Sequence, residues 1–126
     1  MDALNTLAHL TGGINAYTDR GHRAKRSMHS AGRAFLQRLA RDLGLATSAR
    51  DIRSNVAGIA VSGEVTLHTD RLYVQLSDSF VGRAGVQVLY RTCNGQNRYA
   101  YLKDLAKPDR YDWFVAELKR LSACPA

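Results

Sequence analysis

Seven arginine or lysine side chains stand between Arg20 and Arg41 with no acidic residue among them. Guanidinium forks match the oxygens of a phosphate group, and several in succession track a polyanion. Arg20, Arg23, Lys25, Arg26, Arg33, Arg38 and Arg41, with Gln37 between them, are therefore candidate phosphate contacts, and His22 and His29 add hydrogen-bonding capacity to the same run. The plain alternative is a solvated helix face that keeps the chain in solution. Charge placement favours a role: residues 1–50 carry eight basic and three acidic side chains, whereas residues 51–126 carry ten and eight. The net charge is +7 over 126 residues. Such clustering favours an anionic partner, DNA or RNA first and the acidic face of a protein complex second.

A second group lies on alternating residues in the middle of the chain. Glu64, His68, Tyr73, Gln75 and Arg91 share one side of a sheet if their segments are strands. Polar side chains around an aromatic ring can stack and hydrogen-bond with bases, although no paired aromatic motif of the RNA-recognition type is present. A carboxylate, an imidazole and the nearby Arg71 would also suit acid–base cleavage of RNA. Against that, Glu64 and His68 are two strand repeats apart, roughly 13 Å by strand rise, too far for direct contact. Serines 62, 77 and 79 carry no nucleophile-elbow pattern, and the glycines at 82 and 85 match no phosphate-loop fingerprint. No catalytic residue is assigned on these grounds. Nor is a cofactor or a metal site: the two cysteines, Cys93 and Cys124, lack four-ligand zinc spacing and read as reduced thiols, with a disulfide as the alternative.

The elements that must position these residues follow from periodicity. From about Ile14 to Leu43, Met28, Ala31, Phe35, Leu36, Leu39 and Leu43 recur at three- and four-residue steps, which predicts one long helix with a buried stripe. At 100° per residue, Arg23, Arg26, Arg33, Gln37 and Arg41 fall opposite that stripe. Gly21 is a candidate break, Gly32 a site of close packing and Gly44 a C-cap. Residues 1–13 form a short helix or a loosely docked arm. Period-two alternation then predicts strands over 59–68, 72–77 and 86–92, with a fourth candidate over 98–102 and a short one near Asp51–Ser54. A hairpin around Thr69 and Asp70 would pair Leu67 with Leu72 and Val65 with Val74, its connection either that two-residue turn or a four-residue loop over His68–Arg71. Residues 79–85 are a connection and Cys93–Asn97 a turn. Pro108, with Asp109 and Asp112, opens a last helix whose buried stripe is Tyr111, Phe114, Val115, Leu118 and Leu121. Trp113 is expected to pack at its edge, and Tyr99 and Tyr101 to extend an aromatic surface.

These elements predict a single α+β domain over 1–126: a basic N-terminal helix, a three- or four-stranded antiparallel sheet and a C-terminal helix, both helices covering one sheet face. No apolar run is long enough for a membrane span, and the first residues lack the pattern of a signal peptide. The cytoplasm is the expected compartment, and a homodimer through a sheet edge is a candidate assembly.

The stretches Arg53-Ser54-Asn55, Ala60 to His68, Tyr73-Val74-Gln75 and Leu89 to Gly95 cover about a third of the chain. Across them the sequence resembles a group of small uncharacterised proteins carried on bacterial plasmids, integrative elements and phages. The resemblance implies a mobile-element setting and carries no catalytic role with it. Small proteins in that setting are often DNA-handling accessories or inhibitors of host defence, anti-CRISPR proteins among them. The positive charge argues against DNA mimicry as the mode, whereas blocking a nuclease subunit by surface contact is compatible with it. The first expectation is a non-enzymatic nucleic-acid-binding accessory protein, the second a protein-interaction factor acting on a host defence complex, and the third a small ribonuclease.

Overall fold

Thr18 starts the first helix: its extended backbone and its Oγ1, which accepts from the Gly21 N–H at 3.1 Å, satisfy donors left open by the first turn. From there α1 runs without a break from Asp19 to Asp42 in the computed structural model, which describes residues 18–55, 63–78, 85–107 and 109–123. The expected arm and residues 14–17 of the expected helix lie outside the described residues. Gly21 does not split the helix, because the Thr18 cap holds its N–H and the His22 N–H meets the Thr18 carbonyl at 2.9 Å. Gly44 ends it as expected. Its φ of +79° turns the chain left-handed, and the Leu45 N–H closes on the Ala40 carbonyl at 3.0 Å.

The sheet has five strands rather than three or four, each antiparallel to the next: β1 (Asp51–Asn55), β2 (Glu64–His68), β3 (Leu72–Ser77), β4 (Gln87–Thr92) and β5 (Arg98–Tyr101). The fifth strand comes from Asp51–Asn55, which pairs along its whole length with β2 and so becomes one edge. Spatial order equals chain order, so β1 and β5 are the two edges.

The β2–β3 hairpin is centred one residue later than expected. Leu67 faces Val74 and Val65 faces Leu76. Thr69 causes the shift: its Oγ1 accepts from the backbone N–H groups of Arg71 and Leu72, at 3.2 and 2.8 Å, and its own N–H meets the Leu72 carbonyl. The tip is therefore Asp70–Arg71. The pairing slips by two residues, an even number, so the same side chains still face the core.

β5 passes directly into a single turn, α2 (Leu102–Leu105), before α3 (Arg110–Ala123). Pro108 lies outside the described residues. Asp109 precedes α3 rather than forming its first turn: its φ is +68°, a conformation Asp tolerates, and its carbonyl accepts from the Trp113 N–H at 3.0 Å.

Both long helices lie on one sheet face. Met28, Phe35, Leu36 and Leu39 of α1 and Phe114 and Leu118 of α3 are fully buried in one cluster with Val65, Leu67, Val74, Leu76 and Val88. Phe35 meets Tyr111 edge-on at 6.2 Å, and Tyr90 meets Phe114 at 5.1 Å. Gly32 lets α1 approach the sheet, since a methyl group there would come 3.2 Å from Val65 Cγ2. Trp113 departs from expectation. It is 41% exposed, with the Arg110 guanidinium 4.6 Å over its ring, because it sits off the Tyr111–Phe114–Leu118 stripe. Cys93 is exposed at the β4–β5 turn, its Sγ 3.4 Å from the Asp70 carbonyl, and Cys124 lies outside the described residues.

Candidate nucleic-acid interface

α1 places the candidate cations in two different environments. Arg20, Arg23 and Arg26 are exposed, and none of them makes an ion pair or hydrogen bond with another described residue. Their three-residue spacing winds them around the outer side of the helix. Lys25 is half-buried on its flank. Asp19, the acid of the first turn, precedes all four.

Farther along the helix the cations are engaged by the fold. Arg33 donates from Nη1 to the Ile52 carbonyl and the Ser54 hydroxyl of β1, both at 3.3 Å. Arg38 lies 4.3 Å over the Tyr111 ring of α3, with its Nε 3.5 Å from Asp42. The Arg41 Nε approaches the other Asp42 oxygen at 3.6 Å. Gln37 is exposed and accepts from Arg50 Nη1 at 3.5 Å. Asp42 organises this end. The Tyr111 hydroxyl donates to it at 2.6 Å and, with Arg41 and Arg38 adding charge attraction, holds its carboxyl below the usual range. Burial, reinforced by the Asp42 charge, pushes the Tyr111 phenol well up. Of the eight residues singled out in the sequence, Arg20, Arg23 and Arg26 have no side-chain partner among the described residues, Arg38 and Arg41 share the one carboxylate of Asp42, and Arg33 hydrogen-bonds to neutral oxygens of β1.

A cavity of about 360 Å³ opens beside the uncommitted end. Among the described residues it is lined by His22, Lys25, Arg26 and His29. These occupy positions i, i+3, i+4 and i+7, one face of the helix. All four stand among the residues singled out in the sequence, Lys25 and Arg26 as phosphate contacts and His22 and His29 as added hydrogen-bonding capacity, but their sharing of one face beside the apolar stripe was not drawn from it. The i, i+3, i+4, i+7 recurrence of nitrogen-bearing side chains was the available signal. His29 belongs to the buried side of that face, only 8% exposed.

The sheet face away from the helices is built largely for itself. His68 Nε2 lies 2.9 Å from the Oγ1 of buried Thr66, and its ring meets Tyr73 edge-on at 5.1 Å. The Tyr73 hydroxyl donates to Gln75 Oε1 at 2.7 Å. The Arg91 guanidinium sits 4.7 Å over the Tyr73 ring and donates to the Cys93 carbonyl at 2.7 Å. Glu64, His68, Tyr73, Gln75 and Arg91 are thus half-buried rather than freely exposed. Desolvation, with Arg53 adding repulsion, lowers the His68 pKa and favours the neutral ring. Burial raises that of Tyr73. Glu64 and His68 occupy opposite ends of β2, facing Ser77 and Tyr73 respectively, and no common point is shared between them. Beyond this network the surface turns aromatic at the β5 edge, where Tyr99 and Tyr101 are 57% and 38% exposed on the same face.

No group of three or more histidine, cysteine, aspartate or glutamate side chains among the described residues could hold a metal ion, and no described helix is long and apolar enough to cross a membrane. No protein-family model, curated protein or solved structure matches the chain.

Proposed function

We propose that this chain is a non-enzymatic nucleic-acid-binding accessory protein that meets phosphates through the first half of α1. The observation that supports this reading is the set Arg20, Arg23 and Arg26, exposed on a rigid capped helix and free of carboxylate partners among the described residues. A guanidinium without an internal partner gives up no bond when it meets a phosphate, and three held on a formed helix lose little further backbone freedom. The test is fluorescence anisotropy with labelled single-stranded and duplex oligonucleotides across a salt series. Three phosphate contacts give a slope of log K against log salt of about −2.7 on duplex and about −2.1 on single strands. No binding at low salt, or binding indifferent to salt, defeats the reading.

A second reading draws on the exposed rings of Tyr99, Tyr101 and Trp113, since tyrosine and tryptophan are enriched where proteins dock. On it the chain is an interaction factor that blocks a host defence complex. A pull-down from nuclease-treated bacterial lysate separates the two: partners that survive nuclease favour docking on protein, and partners that vanish favour nucleic acid. The ribonuclease alternative draws no support from the sheet face, where His68 is already engaged and Glu64 is remote from it.

A further inference from the structure

We infer that the cavity beside α1 is a binding site for a phosphomonoester dianion, and, resting on the nucleic-acid reading above, that this dianion is the terminal phosphate of a strand. The argument begins with convergence. Arg20 and Arg23 lie on the outer side of the helix, suited to successive phosphodiesters. His22, Lys25, Arg26 and His29 instead converge on one concave space. Lys25 and Arg26 bring two full positive charges to it, and His22 and His29 bring imidazole nitrogens.

Charge and size then select the ligand. A backbone phosphodiester carries one negative charge, so a pocket with two cations leaves one of them unmatched. A phosphomonoester carries about −1.5 to −2 at neutral pH and presents three acceptor oxygens. That matches Lys25 and Arg26 in charge and leaves an acceptor for an imidazole N–H. A cavity of about 360 Å³ also falls at the small end of the range of ligand pockets, enough for a phosphate with part of its attached nucleotide. Arg26 belongs to both surfaces, so a strand end seated in the cavity continues directly onto Arg23 and Arg20.

The test compares oligonucleotides of one sequence bearing a 5′-phosphate, a 3′-phosphate or hydroxyls at both ends, by fluorescence anisotropy on the full chain. One phosphorylated end binds about tenfold tighter than the hydroxyl-ended strand, and the arm showing the gain identifies the polarity. In the double variant His22→Gln, Lys25→Gln that ratio falls to one. In the double variant Arg20→Gln, Arg23→Gln all three oligonucleotides weaken together and the ratio persists. Equal affinity for phosphorylated and hydroxyl ends overturns the proposal, as does a ratio that survives His22→Gln, Lys25→Gln. If no oligonucleotide binds, the nucleic-acid reading fails, and the cavity is tested alone by titrating inorganic phosphate while following the His22 and His29 imidazole signals by NMR. Saturable shifts that vanish in a Lys25→Gln, Arg26→Gln variant, which keeps both imidazoles, support the phosphate site, and unmoved signals overturn it.

Discussion

The two halves of α1 are alike in composition and unlike in what they can do. Arg20, Arg23 and Arg26 face outward without a partner among the described residues, whereas Arg33, Arg38 and Arg41 are tied to β1, to the Tyr111 ring and to Asp42. The difference arises in what lies opposite each half. The second half passes the β1 carbonyls and the Tyr111 ring of α3 and ends at an acid of its own. An arginine already bonded within the fold exchanges those bonds for the phosphate's, so it gains less than one that starts without a partner. A count of positive charges along a helix therefore overstates the side chains on offer: three of the seven cations here are engaged within the fold.

The contrast can be tested from both sides. The largest effect expected is on folding: Phe35→Ala removes a fully buried ring between α1 and α3 and lowers stability by about 3–5 kcal/mol, measured by urea denaturation. Binding comes next. Arg20→Gln with Arg23→Gln weakens oligonucleotide affinity about tenfold and makes the salt slope shallower by about two, while Arg33→Gln with Arg41→Gln changes both far less. Similar losses from the two pairs would erase the distinction between the halves.

A third effect concerns the Asp42 cluster. Because the folded carboxyl lies below its ordinary range, its contribution is present above about pH 4 and is lost as pH falls through the folded value. Tyr111→Phe removes the main cause of that depression. It is expected to cost about 1 kcal/mol at neutral pH and to flatten the acid limb of a stability–pH curve, both read by denaturation at stepped pH. An unchanged acid limb would show that the arginines alone set the carboxyl. The smallest effect is that of Arg33→Ala, whose two long hydrogen bonds lie at the surface; a loss of no more than about 0.5 kcal/mol is expected by the same measurement.

Much of the scaffold was legible before any coordinates. Met28, Phe35, Leu36 and Leu39, and likewise Tyr111, Phe114, Leu118 and Leu121, are buried as their spacing requires. The alternation in 64–68, 72–77 and 87–92 placed the right residues inward. Errors fell where one side chain overrides a pattern: Thr69 moved the hairpin by claiming two backbone donors, and Asp109 delayed the last helix by turning left-handed. β1 showed only as a short candidate near Asp51–Ser54, because an edge strand exposed along most of its length carries little apolar alternation.

Composition and spacing were enough to establish an α+β arrangement and a basic helix with a buried stripe, because these depend on the period of the backbone and on the sorting of apolar from charged groups along it. Which arginines remain available was beyond their reach. That depended on contacts between residues distant in the chain, Arg33 with Ile52 and Arg38 with Tyr111, and on a cavity lined by His22, Lys25, Arg26 and His29 that folding creates. Partnering and concavity are properties of three-dimensional neighbours, and a linear pattern records them only faintly.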